Sequence, residues 1–412
     1  MKNRILIVGG GPAGLMAAIR ASQLGVETLL IEKKSFLGQK LLLSGKGRCN
    51  VTNACDLNSF LKAFSHGEFL RDAFRKFFNQ DLIAFFEERG LKLKVERQLR
   101  VFPVSDKSSS ILDVLIKEAQ KNKVIIICNS EIKEVLTKGD RACGVLLKDG
   151  KIIEADSVIL AMGGASYTST GSTGDGVKIA KKLGHDIIPL KPALVPLEVK
   201  GGIPARLEGL TLKNIVLKFN SGSKRLTSEI GELLFTHFGV SGPLVISLSG
   251  KISDWIADGG SVFLDIDLKP ALTEMQLDLR ILREIKLSPS KSIKNMLKEL
   301  LPLRLIDVFM ELLKIDANKK SNQITQKERL TIVRFLKNFR LEIKQTLPIE
   351  HAMVTKGGVS LKNINPRTME SRLIKDLYFA GEMIDVDADT GGFNLQAAFS
   401  TGYLAGESAA LG

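Results

Sequence analysis

The stretch Arg4 to Glu32, RILIVGGGPAGLMAAIRASQLGVETLLIE, decides the fold. It reads as a strand over residues 4–8, a glycine turn at Gly9-Gly10-Gly11-Pro12-Ala13-Gly14, an alanine-rich helix to Leu24, and a second strand over residues 26–31 that ends in Glu32. A strand–helix–strand unit of this length predicts a parallel sheet. Gly9-x-Gly11-x-x-Gly14 by itself is a common pattern, and an ordinary glycine-rich turn before a packed helix would also show it. Here the glycines follow a strand and open a helix, and an acid ends the next strand 18 residues after Gly14. Gly9 permits the tight turn, Gly11 lets the backbone approach a pyrophosphate, and Gly14 lets helix and strand pack closely. The helix amides then face phosphates, and the Glu32 carboxylate accepts hydrogen bonds from ribose hydroxyls. An acid at this place disfavours a 2′-phosphate, so the site suits FAD or NAD rather than NADP.

Strands and helices alternate from there to about residue 188: helical patterning over 59–89, a helix over 110–122, strands over 124–128 and 132–136, and one apolar strand over 152–162 running into Gly163-Gly164. Residues 190–270 change texture. Short alternating runs at 194–199, 214–219 and 262–266 are broken by Gly, Pro and Ser, as in a small β-barrel or sandwich. From Thr273 to Leu347 glycine is absent and Leu, Ile, Lys and Arg recur at helical spacing. The expected organisation is therefore a discontinuous α/β Rossmann-like domain of residues 1–189 and 346–412, an inserted barrel of 190–270 and a helical subdomain of 271–345.

Composition narrows the function. The 412 residues are 44% hydrophobic and 25% charged, which excludes a disordered or fibrous chain. The apolar run at residues 5–8 is too short for a signal sequence, and no stretch approaches the ~18 apolar residues of a membrane span, so a soluble cytoplasmic protein is expected. Cys49, Cys55, Cys128 and Cys143 show no CxxC pair and no ligand-like spacing, so neither a metal site nor a redox pair of that kind is expected. Lys and Arg exceed Asp and Glu by 14. Residues 280–344 hold 16 Lys or Arg against 7 Asp or Glu. That segment is either a solvated helical face or a landing surface for a phosphate backbone, although the chain carries no RRM or KH signature.

Two later blocks favour FAD. Residues 152–162 with Gly163-Gly164 resemble the second glycine signature of two-dinucleotide-type flavoproteins, and Leu377-Tyr378-Phe379-Ala380-Gly381-Glu382, followed by Asp385 and Asp387, resembles their C-terminal flavin motif. The helix after Gly391-Gly392-Phe393-Asn394 would aim its amides at the flavin. No second complete GxGxxG is present, so NAD(P)H is expected as a transiently docked reductant.

The stretches GQKLLLSGKGRCNVTN (38–53), LFTHFGVSGP (234–243), VTKGGV (354–359) and NPRTMES (365–371), with the tail from Phe379 to Gly406, resemble the bacterial BaiN/RdsA-type (YhiN-like) NAD(P)/FAD-dependent oxidoreductase family over essentially the whole chain. The resemblance implies FAD against Gly9, Gly11, Ala13, Gly14, Glu32, Lys33, Lys40, Ser44, Gly45, Gly47, Arg48, Cys49, Asn50, Gly163, Gly164, Gly381, Glu382, Asp387, Asn394 and Leu395, with adenine beside the Ile132 backbone. Lys46 and Ala388 depart from the pattern, which favours a small residue at the first and glycine at the second. The family's implied activities are formation of dihydrouridine in ribosomal RNA, reduction of unsaturated oxo-steroids and oxidation of aminoketones.

Reduction of a polarised C=C needs a hydride and a proton, hence a nearby acid. His237, in the Gly/Ser/Pro-rich part of the insertion, is the first candidate, set against a role in shaping its turn. Cys49, between Arg48 and Asn50, is the second, set against simple packing. Ser44, Thr236 and Ser241 could position a carbonyl, and His351 could simply begin a strand. The leading expectation is reduction of uridine to dihydrouridine in 23S ribosomal RNA, with the base drawn into a cleft between the two domains. The alternatives are a small-molecule reductase or amine oxidase, and an RNA-binding assembly factor with structural FAD.

Overall fold

The computed structural model describes residues 4–412, which form two compact units. The first comprises residues up to Ala193 together with Ile349–Gly412; the second is Leu194–Pro348.

The first unit is built on a five-stranded parallel sheet in the order Leu377–Phe379, Ser157–Leu160, Arg4–Val8, Glu27–Ile31, Ile125–Ile127. Arg4–Val8 is central, and successive crossovers leave it toward opposite edges. Its two neighbours are the strand next in sequence and one about 150 residues later. Such a switch point leaves a crevice at the carboxyl ends of the strands, which is where open α/β sheets bind ligands. The first helix, Pro12–Gln23, starts with proline, whose missing N–H is no loss at that position. Nearly every residue from Ala13 to Ala21 is buried, because the sheet covers one side and the C-terminal helix Phe393–Leu411 another.

That helix pair packs at backbone distance. A Cβ at Gly402 would lie 2.2 Å from the Ala13 carbonyl oxygen, and one at Gly406 would lie 2.4 Å from that of Ala17. Glycine is required at both positions, a role the sequence reading did not assign.

One expectation is corrected here. The single strand over 152–162 is two: Ile152–Glu154 edges a three-stranded antiparallel sheet with Ile132–Lys138 and Arg141–Leu147, and only Ser157–Leu160 joins the parallel sheet. The break falls at Asp156, whose side chain accepts the Arg4 amide at 2.9 Å. The helical patterning over 59–89 resolves into short helices, Leu57–Lys62, Arg71–Lys76 and Asn79–Glu87, around a cluster of Phe60, Phe64, Phe74 and Phe78.

In the second unit the strands Thr211–Ser221, Gly231–Phe235, Gly239–Ser241, Leu197–Val199, Phe339–Thr346 and Val262–Asp267 pair in turn, and the last pairs back onto the first. This closes a six-stranded antiparallel barrel, to which Lys224–Thr227 adds a seventh strand paired only with the end of Thr211–Ser221. The helices Glu274–Leu287, Leu303–Leu313 and Gln326–Lys337 bury Ile281, Phe309, Ile332 and Leu336 in one core with barrel residues Leu264, Ile266 and Leu341. Residues 271–345 are thus part of the barrel unit, and Phe339–Thr346 is one of its strands, with Phe339, Leu341 and Ile343 facing inward. The helix Pro243–Ala257 lies in the stretch that reads as all-β from its texture.

Candidate functional site

The three glycines of the opening turn do different jobs. Gly9 has φ 108°, and a Cβ there would sit 2.4 Å from the Ala161 carbonyl oxygen. At Gly14 it would sit 1.9 Å from the Gly9 oxygen. Gly9 and Gly14 are therefore demanded by the protein itself. Gly11 is different: nothing lies within 4 Å of its missing Cβ, and its φ of −80° suits any residue. Its lack of a side chain has no internal cause, as expected where a ligand backbone approaches.

The Glu32 carboxylate accepts the Gly10 amide at 2.8 Å on one oxygen and the Lys34 amide at 2.8 Å on the other. Each oxygen retains a lone pair for a ribose hydroxyl. Directly beyond, a cavity of about 420 Å³ is lined by Lys33, Lys34, Glu131, Lys148, Thr173 and Asp175, among others. Lys33 is tied to Asp175 at 3.0 Å and Lys148 to Glu131 at 2.6 Å. Burial pulls the Asp175 carboxyl up, but hydrogen bonds from Thr173 and Lys33 outweigh it and hold the group well below the usual carboxylate range. Ile132 begins the strand that flanks this end and is buried.

Opposite the glycine turn, the Lys40 ammonium donates to Glu382 Oε2 and Ser166 Oγ, both at 2.5 Å. Glu382 Oε1 accepts from Ser166 Oγ at 2.9 Å and from the Thr355 amide at 2.7 Å. Ser166 and Thr355 are fully buried, and Thr355 Oγ1 also accepts the Ala165 amide. Lys40 and Glu382, both assigned to FAD by the resemblance, pair with each other; Ser166 and Thr355 complete the network and were not assigned a role. Thr355 explains Gly164, whose Cβ would lie 2.3 Å from Thr355 Oγ1. Gly163 holds φ 73° and Gly381 φ 73°, the latter with its missing Cβ 2.9 Å from Ala13.

The loop 44–50 is wound tightly. Gly45, Lys46, Gly47 and Cys49 all have positive φ, which gives the expected small residue at 46 a cause: Lys46 sits at φ 58°. Ser44 Oγ donates to the Leu41 carbonyl, and Asn50 Nδ2 to the Thr52 and Val101 carbonyls. Arg48 does not reach toward Cys49. It pairs with Glu96 and Asp106 and lies over the Phe102 ring at 4.2 Å, and those acceptors raise its pKa. Cys49 has no exposed surface, and burial pushes its thiol up to about 12. This is the packing role that stood as the alternative to catalysis.

The C-terminal helix begins at Gly392, φ 95°, against the Thr52 carbonyl, where any Cβ would be 2.3 Å from the oxygen. Its first amides have no intrahelical acceptor and carry the positive end of the helix dipole. Asn394 closes the preceding loop by accepting the Ala388 amide at 3.0 Å and donating to the Ala388 carbonyl at 2.9 Å. Leu395 is half-buried in the same turn. Ala388 is not among the residues with positive φ, so this position does not require glycine. Ser65 Oγ donates to Asp387 at 2.7 Å.

The open space at Gly11, the two-faced Glu32 carboxylate and the amide end of the C-terminal helix all belong to the first unit and suit the pyrophosphate, ribose and isoalloxazine of FAD respectively. Glu32→Ala is expected to lower flavin content severalfold and to cost about 1–3 kcal/mol by orphaning the Gly10 and Lys34 amides. Absorbance of purified protein and thermal melting check both effects, and unchanged flavin would refute the ribose assignment.

His237 belongs to the barrel unit. It lies in the turn between Gly231–Phe235 and Gly239–Ser241, exposed, with Nδ1 3.7 Å from Glu208 and its ring edge-on to Phe238. His351 falls in a short turn ahead of the strand Val354–Val359. Among the described residues no group of three or more His, Cys, Asp or Glu could hold a metal, and no helix is long and apolar enough to cross a membrane.

The HI0933-like protein Rossmann domain family matches residues 3–408. A 3-dehydro-bile acid delta(4,6)-reductase of Clostridium scindens is 33% identical over 416 residues, 99% of either chain. A ribosomal RNA dihydrouridine synthase of Escherichia coli is 30% identical over 403 residues, covering 97% of this chain and 96% of its own. Among solved structures, the 3-ketosteroid delta1-dehydrogenase from Sterolibacterium denitrificans superposes over 99% of this chain and 100% of its own, with a TM-score of 0.52 at 13% identity. At that identity the likeness is one of fold.

Proposed function

From the premise that this chain belongs to the HI0933-like family of FAD-dependent oxidoreductases, we propose that it is an NAD(P)H-driven reductase of carbonyl-conjugated C=C bonds, and that its substrate is uridine in 23S ribosomal RNA. Both named relatives support the reaction class, since a 3-oxo-4,6-diene and a uracil ring each present a C=C conjugated with a carbonyl. FAD, when bound, supplies the hydride for the far carbon of that system. The protein's share is to hold the cofactor through Glu32, the glycine turn and the Lys40–Glu382 pair, and to place a proton donor at the carbon next to the carbonyl.

The observation that favours RNA is the state of the basic segment. Of its cations, Lys319, Arg329, Lys337, Arg340 and Lys344 are paired with carboxylates at 2.6–2.8 Å. Lys286, Lys291, Lys298, Arg304, Lys314, Lys320, Lys327 and Arg334 are exposed and, among the described residues, make no ion pair. Unpaired exposed cations are what a phosphate backbone neutralises. If half of the eight engage phosphates, log K against log salt should fall with a slope of about −3 for single-stranded RNA.

Mass mapping of 23S RNA from a deletion strain tests the substrate directly. One uridine should lose its two-hydrogen increment, and an unchanged map would refute the RNA reading. The C. scindens relative favours a second reading, a small-molecule reductase. Turnover of a 3-oxo-4,6-diene steroid with an unchanged RNA map would establish it. An unchanged map with salt-dependent RNA binding and no turnover would point to an assembly factor with structural FAD.

A further inference from the structure

We propose that the proton for this reduction comes from His66, which faces Asp385, and not from His237. The inference rests on the reductase reading above and concerns the same site. His66 Nδ1 lies 3.9 Å from Asp385 Oδ2; the imidazole is half exposed, while the carboxylate is 11% exposed. Solvent or a substrate can therefore reach the ring, and the acid behind it is fixed.

The pair is built into the cofactor unit. Asp385 follows the Gly381–Met383 turn that carries Glu382, and its amide donates to the Val359 carbonyl at 3.1 Å. The segment bearing His66 is stitched to the loop that leads into the C-terminal helix. Phe64 bridges to Ala388, the Ser65 amide donates to the Asp387 carbonyl at 3.0 Å, and the Asp389 amide donates to the Ala63 carbonyl at 3.1 Å. His66 thus flanks the loop that ends at the helix amides assigned to the isoalloxazine. Among the described residues His237 makes no such tie, and its ion-pair partner, Glu208, is itself exposed.

Burial pushes the Asp385 carboxyl above the usual carboxylate range, and Asp387 pushes the same way; His66, Lys356 and the Gly357 amide oppose them. A positive charge on the facing imidazole offsets part of that burial cost. Asp385 acts here as a positioning residue. In the proposed step the hydride brings two electrons and one hydrogen from the reduced dinucleotide to the far carbon. The Nε2–H bond of the His66 imidazolium breaks, a C–H bond forms beside the carbonyl, and the neutral ring regains its proton from solvent. The balance is one hydride and one proton per C=C.

The chain has only four histidines, so ring NMR of the holoprotein resolves each of them. Asp385→Asn should shift the His66 ring resonances and leave those of His237 in place, with flavin content unchanged; unmoved His66 resonances overturn the pairing. In stopped-flow, with unmodified 23S RNA transcript and a 3-oxo-4,6-diene steroid as probes, His66→Gln should leave flavin reduction by NAD(P)H intact. It should slow reoxidation by the active probe at least 30-fold. Asp385→Asn should slow the same step while leaving flavin reduction intact, as expected of a positioning residue. Imidazole added to His66→Ala should restore part of the rate. A larger loss at His237→Gln than at His66→Gln overturns the proposal. If neither probe reoxidises the wild-type flavin, the reductase reading fails, while the ring resonances still decide the pair.

Discussion

Gly11→Val is expected to give a folded protein that purifies without FAD, whereas Gly14→Ala is expected to give one that barely folds. The contrast follows from what each missing Cβ would meet. At Gly14 it would stand 1.9 Å from the Gly9 carbonyl oxygen, a backbone atom on a turn that is itself pinned: Gly9 donates to the Ile31 carbonyl at 2.8 Å. Neither side can yield without separating the first helix from the central strand. A cost of at least about 3 kcal/mol is expected, the upper end of ordinary overpacking. At Gly11 the backbone is extended, at φ −80° and ψ −174°, and the space is open. Valine there loses a modest N-cap preference, about 1 kcal/mol, and fills the volume through which the pyrophosphate reaches the helix amides. Melting temperature and the ratio of flavin to protein absorbance separate the two outcomes. A Gly11→Val protein with stoichiometric FAD would show that the phosphates do not pass over this residue, and a Gly14→Ala protein as stable as wild type would show that the turn has slack.

The same comparison marks how far the sequence can be read. Gly9, Gly11, Gly14 and Glu32 are local: strand, turn, helix and acid lie within one short stretch, and each residue's reason is contained in it. Lys40 and Glu382 were legible only through resemblance, because 342 positions separate two side chains that meet at 2.5 Å. Ser166, which helps complete that network, carries no local signal at all, and Thr355 lies in VTKGGV (354–359), a stretch the resemblance marks without giving that threonine a role. The barrel strand Phe339–Thr346 was legible and missed. Phe339, Leu341 and Ile343 alternate with Arg340, Glu342 and Lys344, a period of two at the end of a run whose overall period is helical. The helix Pro243–Ala257 was masked by its own punctuation, since Gly242-Pro243 and the serines and glycine of its first half read as turn residues.

Charge shows a different limit. Counting along the chain gives the segment 280–344 an excess of nine, but Arg329, Lys337, Arg340 and Lys344 are neutralised by Asp278, Asp267, Asp265 and Glu198, all outside it. Tertiary structure thereby removes about half of the segment's apparent binding potential. The exposed remainder is the part a salt titration would measure.

Gly402→Ala should destabilise the protein by about 3 kcal/mol and weaken FAD retention more than tenfold, although residue 402 touches no part of the dinucleotide turn except through Ala13. Its Cβ would lie 2.2 Å from the Ala13 carbonyl oxygen and 2.8 Å from the carbonyl carbon. These are main-chain atoms of the first helical turn, so no rotamer change relieves the clash and the helices must separate. The C-terminal helix cannot simply tilt away. Near its start, Gln396 accepts from Thr52 at 2.6 Å, and Ser400 donates to the Phe77 carbonyl at 2.6 Å. The displacement is therefore taken up by Ala13 and by the Gly381 turn, which packs against the Ala13 side chain and carries Glu382. The glycine turn and Glu382 would shift together, which is why cofactor affinity should fall further than the local clash alone suggests. Trimming the neighbour provides the check. Ala13→Gly removes a side chain but leaves the carbonyl, so the double variant Ala13→Gly/Gly402→Ala should recover neither stability nor flavin. Recovery in the double variant would show that side-chain crowding, and not backbone contact between the two helices, sets the spacing.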